Sequence, residues 1–167
     1  MDETTLNLAF PIRACWMKRG QQKRLDAPPG ANAFHHVLGA LNWRTQKVTY
    51  TVETVKNSDT FIHFLEHVLE HAYPDGGLVL VMDNAPYHRS RAVQAALSLY
   101  SERVLVFWLP PYCPTLNPIE RFWRHLKDLA TANTLFHSFT ALLDNVHQVL
   151  AIQNEPLNPL RLSFSHL

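Results

Sequence analysis

Two cysteines, five glycines and no long apolar run set the first limits on this 167-residue chain. Cys15 and Cys113 are too few and too far apart for a disulfide framework or a four-thiolate zinc site. Gly20, Gly30, Gly39, Gly76 and Gly77 cannot supply a G-x-x-x-x-G-K-[ST] phosphate loop, which excludes a nucleotide hydrolase of that kind. No stretch approaches the roughly 20 apolar residues of a membrane span, and no signal peptide opens the chain. The expectation is therefore no membrane partner and a cytoplasmic, nucleoid-associated location. Charge is balanced too, with 15 Lys and Arg against 14 Asp and Glu. Any basic footprint for nucleic acid must be local. What is present is 47% hydrophobic and 17% charged residues, the composition of a chain that buries a core. One domain over residues 1–155 is expected, with an irregular tail over 156–167.

Apolar patterning divides that domain. Thr4–Phe10 reads as a strand, and the basic segment Cys15–Arg24 around Gly20 suits a hairpin. Phe34–Trp43 and Lys47–Thr54 form a second hairpin across Arg44-Thr45-Gln46. From Ser58, a candidate N-cap, the period becomes helical: Phe61, Ile62, Leu65, Val68, Leu69 and Ala72 share one stripe, with Pro74 beyond the end. Leu78–Met82 and Val104–Leu109 are continuously apolar, as strands buried on both faces are. Helices are predicted over Ser90–Tyr100, Pro118–Ala130 and Phe139–Ile152. Antiparallel strands followed by helix–strand–helix–strand–helix make an α/β fold with a mixed sheet flanked by helices, in the ribonuclease H-like order.

Asp83 follows the apolar run Leu78–Met82 and emerges at the carboxyl edge of a sheet, where open α/β folds place their sites. A loop aspartate capping the next helix accounts for that position equally well. Glu120 is the second candidate. Asn117-Pro118-Ile119-Glu120 fits a capping box, and Glu120, Arg124 and Lys127 share a helix face other than that of the stripe Ile119, Phe122, Trp123, Leu126, Ala130. By spacing alone, a cap and a surface ion pair suffice.

The wording of three segments points further. Asp83-Asn84-Ala85-Pro86-Tyr87-His88 and the run Leu109–Glu120 (LPPYCPTLNPIE) resemble the second and third acidic motifs of the DDE transposases, the superfamily of mariner elements and many bacterial insertion sequences. Asp2-Glu3-Thr4-Thr5 with Trp16-Met17-Lys18-Arg19-Gly20 resembles the first motif and its hairpin. The motifs stand in order over nearly the whole chain, and 36 residues separate Asp83 from Glu120, within the family's mid-thirties spacing. The resemblance implies that Asp2, Asp83 and Glu120 are the catalytic and metal-binding triad, with Asn84, His88 and Asn117 in support. It implies Mg²⁺ as cofactor, replaceable by Mn²⁺ and bound as two ions. It also implies a transposase that cleaves transposon ends and transfers the 3′-hydroxyl into target DNA.

Arg13, Lys18, Arg19, Lys23 and Arg24, with Trp16 among them, form the local basic patch, and Lys18, Arg19, Lys23, Arg24, Arg124 and Lys127 are the expected contacts to double-stranded DNA at the ends and the target. His63-Phe64-Leu65-Glu66-His67 matches H-x-x-E-H, a zinc-peptidase signature, and His71 extends the row. That row lies opposite the apolar stripe, where a solvated polar face explains it. The family's N-terminal helix-turn-helix modules have no counterpart in this sequence. Asp2 stands at the extreme N-terminus, so half of a central strand is expected to be missing and Asp2 to fray. A homo-oligomer or a separately encoded N-terminal half would then complete the enzyme. The alternative is a non-catalytic relic or regulatory module that keeps the fold.

Overall fold

The computed structural model describes residues 1–8, 13–14, 16–21, 34–111 and 113–155. Three antiparallel strands come first: β1 (Asp2–Asn7), β2 (Phe34–Leu41) and β3 (Val48–Glu53). Asp2 pairs with Gly39 and Asn7 with Phe34, while Leu41 pairs with Val48. The tight β2–β3 turn is held by Asn42, whose Oδ1 accepts from the amides of Arg44 and Thr45 at 3.0 and 2.9 Å. Two further strands, β4 (Leu78–Met82) and β5 (Val104–Trp108), run parallel as a separate pair. The Met1 amino group donates to the Val81 carbonyl at 2.6 Å, a direct link between the two sheets.

Helices cover the three-stranded sheet on both faces. On one side lie α3 (Pro118–Ala130) and α4 (Phe139–Asn154). The stripe Ile119, Phe122, Trp123, Leu126 and Ala130 is buried as its spacing predicts, against Leu6, Val37 and Val48 of the sheet and Leu142, Val146 and Leu150 of α4. Asn154 docks the end of α4 onto β3, bonding both the amide and the carbonyl of Val48 at 2.7 and 2.9 Å. The other side carries α1 (Ser58–Glu66), α2 (Arg91–Leu99) and β4, which bury Phe61, Phe64, Leu65, Leu80, Met82 and Val93 with Leu38 and Ala40 of β2.

Several expectations are corrected. The N-cap of α1 is Asn57, which accepts from Thr60 N at 2.9 Å; Ser58 instead donates to Ser90 Oγ. The helix continues as a π-helical turn over His67–Ala72, so Val68 and Leu69 stay buried while Ala72 turns outward. The strand predicted over Thr4–Phe10 starts earlier, at Asp2, and ends at Asn7. Cys15–Arg24 shows only a turn, Gln21 N to Lys18 O at 3.0 Å with Gly20 at positive φ, and no strand ladder among the described residues. Lys23 and Arg24 lie outside the described residues, as does the 156–167 tail. Finally, β4 and β5 are not buried on both faces: Val79, Leu105 and Phe107 are each more than half exposed, because α1 and α2 cover one face and no described element covers the other.

Candidate active site

Asp2, expected to fray, is placed in the ladder of β1. It opens β1 opposite Gly39, is 6% exposed, and its Oδ2 has no hydrogen-bond partner among the described residues. Burial pushes its carboxyl up to about 8, and the charges of Glu120, Glu3 and Asp83 push the same way. A buried acid with an orphaned oxygen is held only by taking up a proton or by meeting a cation.

Glu120 reaches this region because α3 crosses the sheet closely. A Cβ on Gly39 would lie 2.6 Å from Trp123 Cζ2, so only glycine lets the indole come this close to β2 at the residue paired with Asp2. Glu120 stands in the first turn of α3. The predicted capping box is absent: Asn117 is the N-cap by position and is buried, yet its side chain caps nothing, and only its carbonyl receives Glu120 N at 3.1 Å. The Glu120 carboxylate is therefore not spent on the helix end. Lys127 sits half-buried two turns on, its ammonium held below the usual range by burial while Glu120 opposes that shift. Arg124 is exposed.

Asp83 projects from the end of β4, about half exposed. Its Oδ1 accepts from His88 Nδ1 at 2.7 Å and from the Ala85 amide at 3.0 Å, and the His88 bond holds its carboxyl below the usual range. His88 is fully buried, so the ring is fixed and Asp83 with it. The hydrogen bonds of the Asn84 side chain go to partners other than Asp83. Its amide donates to the Leu109 carbonyl, and its oxygen accepts from Arg89 at 2.6 and 3.0 Å, with the Arg89 guanidinium stacked 3.8 Å over Trp108.

Sequence reasoning missed what stands behind His88. Glu3 alternates with Asp2 along β1, and its Oε2 lies 3.7 Å from His88 Nε2 while Lys56 holds its Oε1 at 3.0 Å. The buried Tyr87 hydroxyl is pushed far above its usual range by burial and by Glu3. The available signal was the period-two rule, which turns Asp2 and Glu3 to opposite faces of one strand. Among the described residues no three His, Cys, Asp or Glu side chains are already close enough to hold a metal ion. The acids nonetheless lie near enough to raise the Asp2 pKa, and they offer oxygen donors alone, the set that hard divalent ions take. His63, His67 and His71 are exposed on the outer face of α1 and its continuation. Lys18, Arg19 and Trp16 are also exposed, whereas Arg13 is tied to Asp128 at 2.8 Å and to Asn133.

Comparison with known proteins agrees with this geometry. A family model described as DDE superfamily endonuclease matches residues 1–143. The "Insertion element IS630 uncharacterized 39 kDa protein" of Shigella sonnei is 34% identical over 149 residues, 89% of this chain and 43% of that protein. Among solved structures, the Mos1 transposase paired-end complex with left transposon end superposes with a TM-score of 0.68 at 19% identity, over 90% of this chain and 46% of that one. The Mos1 mariner paired end complex with Mn gives 0.66 at 18% identity, over 90% and 46%. The chain thus spans under half the length of each relative, and the likeness shows that the fold is the expected ribonuclease H-like one.

Proposed function

We propose that this chain, which belongs to the DDE superfamily of endonucleases, is the catalytic domain of a DNA transposase. It hydrolyses DNA at transposon ends and transfers the freed 3′-hydroxyl into target DNA. The observation that carries this reading is the buried, partnerless Asp2 oxygen under the charge of Glu120 and Asp83. In this reading Asp2, Asp83 and Glu120 hold Mg²⁺ or Mn²⁺. When bound, two such ions favour deprotonation of the attacking water or hydroxyl and neutralise the leaving oxygen in an in-line displacement at phosphorus.

The chain's own residues do the rest. His88 fixes the rotamer of Asp83, with Glu3 and Lys56 behind the ring. Asn84 and Arg89 lock the loop after β4 to the end of β5, which keeps Asp83 at a constant height above the sheet. Asn117 sets the start of α3 and thus the position of Glu120. Lys18, Arg19, Lys23, Arg24, Arg124 and Lys127 bind phosphates of double-stranded DNA. The chain acts on DNA ends together with a further copy of itself, and the protein works on nucleoid DNA. The burial of Asp2 with a partnerless oxygen favours this reading over a relic that has lost its site.

Two measurements test this together. Isothermal calorimetry should show Mn²⁺ binding that Asp2→Asn and Glu120→Gln each weaken at least tenfold. Cleavage of duplexes carrying the inverted repeats beside the gene should require Mg²⁺ or Mn²⁺, proceed poorly in Ca²⁺, need no zinc, and fall on the order of a thousandfold in Glu120→Gln. Undiminished Mn²⁺ affinity in both variants removes the triad.

A further inference from the structure

The loop after β4 closes on itself twice with the same spacing. Asp83 is joined to His88, five residues on, and Asn84 is joined to Arg89, again five residues on. The first pair turns inward: His88 is fully buried, and its Nε2 lies 3.7 Å from Glu3. The second pair turns outward, with Arg89 exposed. A tight turn allows both closures, Arg89 N donating to Ala85 O at 3.3 Å and Ser90 N to Tyr87 O at 3.2 Å. One short loop thus presents an acid and a cation at the carboxyl end of β4.

Arg89 is held on two sides without being neutralised. Its Nε and Nη2 both donate to Asn84 Oδ1, at 3.0 and 2.6 Å, and that amide is oriented by its own bond to the Leu109 carbonyl. The guanidinium carbon lies 3.8 Å from the centroid of the Trp108 ring. Trp108 ends β5 and packs against the core around α1 and α2, so the guanidinium rests on a ring fixed from below. Both partners are neutral. Among the described residues no carboxylate forms an ion pair with Arg89, whereas Arg13 is paired with Asp128 and Lys56 with Glu3. Two of the five guanidinium N–H groups are spent on Asn84, which leaves three. An acid at position 84 would fix the fork as well but cancel its charge. An amide fixes the fork and leaves the charge for an outside partner.

We propose that Arg89 is a phosphate-binding residue of the site and takes a DNA backbone phosphate flanking the one that reacts beside Asp83. This rests on the transposase reading above and adds to it the contact that sets the strand's position. An arginine that is already immobilised loses little side-chain freedom when a phosphate arrives, and its planar fork matches two phosphate oxygens. Because Arg89 and Asp83 belong to one loop, a strand held by the first is presented to the second in a single register. A phosphate contact carries no base information, so its effect is the same on any duplex sequence.

The test measures binding of a short fluorescent DNA duplex to the full chain at a fixed low Ca²⁺ concentration, from about 50 to 200 mM KCl. Wild type, Arg89→Met and Arg89→Lys are compared. Methionine keeps an unbranched chain over Trp108 and removes the charge; lysine keeps the charge and removes the fork. Arg89→Met is expected to weaken binding roughly three- to tenfold and to flatten the slope of log Kd against log salt by about 1, equally on duplexes of unrelated sequence. Arg89→Lys is expected to keep the wild-type slope. An unchanged slope in Arg89→Met overturns the proposal. So does an equal flattening in Arg89→Lys, which would show a displaced loop in place of a lost charge. Either result leaves the transposase reading standing, because the wild type still binds duplex. A wild type that binds no duplex counts against that reading and removes the Arg89 contact with it.

Discussion

At the scale of single residues, Asp2 carries a measurable signature of its surroundings. Its pKa rises from an ordinary 3.8 in the unfolded chain to about 8 in the fold, so the folded state holds the proton more tightly. That contribution is fully present below pH 4 and is lost as pH rises toward 8. Met1 acts in the opposite sense over part of the range: burial lowers its amino group from 8.0 to about 6, and the folded state gains stability as pH rises from 6 to 8. Without divalent ions, stability from these two groups should fall between about pH 4 and 6 and then level. Asp2→Asn should remove the fall and leave the rise. Urea melts of both proteins in EDTA across pH 4 to 8 would show it; parallel curves would mean that Asp2 titrates like a surface acid. Asp2, Asp83 and Glu120 could be named as candidates from the sequence because their motifs resemble known ones. Glu3 and Tyr87 could not, since each matters only through contact with elements far along the chain.

At the scale of elements, α3 is the piece whose placement matters most. Its limits, Pro118 to Ala130, and its buried stripe were legible because proline starts a helix without losing a hydrogen bond and the apolar period is 3.6. Its depth was not legible. That depth depends on Gly39 in β2, five intervening strands and helices before α3, where a side chain would meet the Trp123 ring. Gly39→Ala should cost about 1–3 kcal/mol by overpacking. It should also weaken Mn²⁺ affinity, because Glu120 moves with the helix. Adding Trp123→Leu should return part of both losses by making room. Purely additive losses in a double-mutant cycle would show that the Gly39–Trp123 contact does not set the helix position. The cap of α1 was placed one residue late for a simpler reason: Asn57 and Ser58 are both good caps, and only the Thr60 reciprocal bond selects Asn57.

At the scale of the molecule, the three acids come from three places: β1 in one sheet, the end of β4 in the other, and the first turn of α3. An ion held by all three would cross-link the two sheets, which otherwise meet through the Met1–Val81 bond and the core around α1 and α2. Mn²⁺ at a hundred times its Kd should then stabilise the fold by about 2.7 kcal/mol. Scanning calorimetry should record a rise in Tm that Asp83→Asn and Glu120→Gln both abolish. A rise that survives either variant would place the ion elsewhere.

What the sequence determined by itself was local and periodic: helices with a 3.6-residue stripe, strands with turn residues between them, and acids at the ends of apolar runs. These follow from backbone sterics and side-chain period, which act over a few neighbours. The tertiary structure decided which apolar face found a partner. Val79, Leu105 and Phe107 are as hydrophobic as Leu80 and Met82, but apolar character states only that burial is favourable and not which layer provides it. It likewise decided that Asp2 is buried under the charge of Glu120, an interaction across most of the chain that no local pattern encodes.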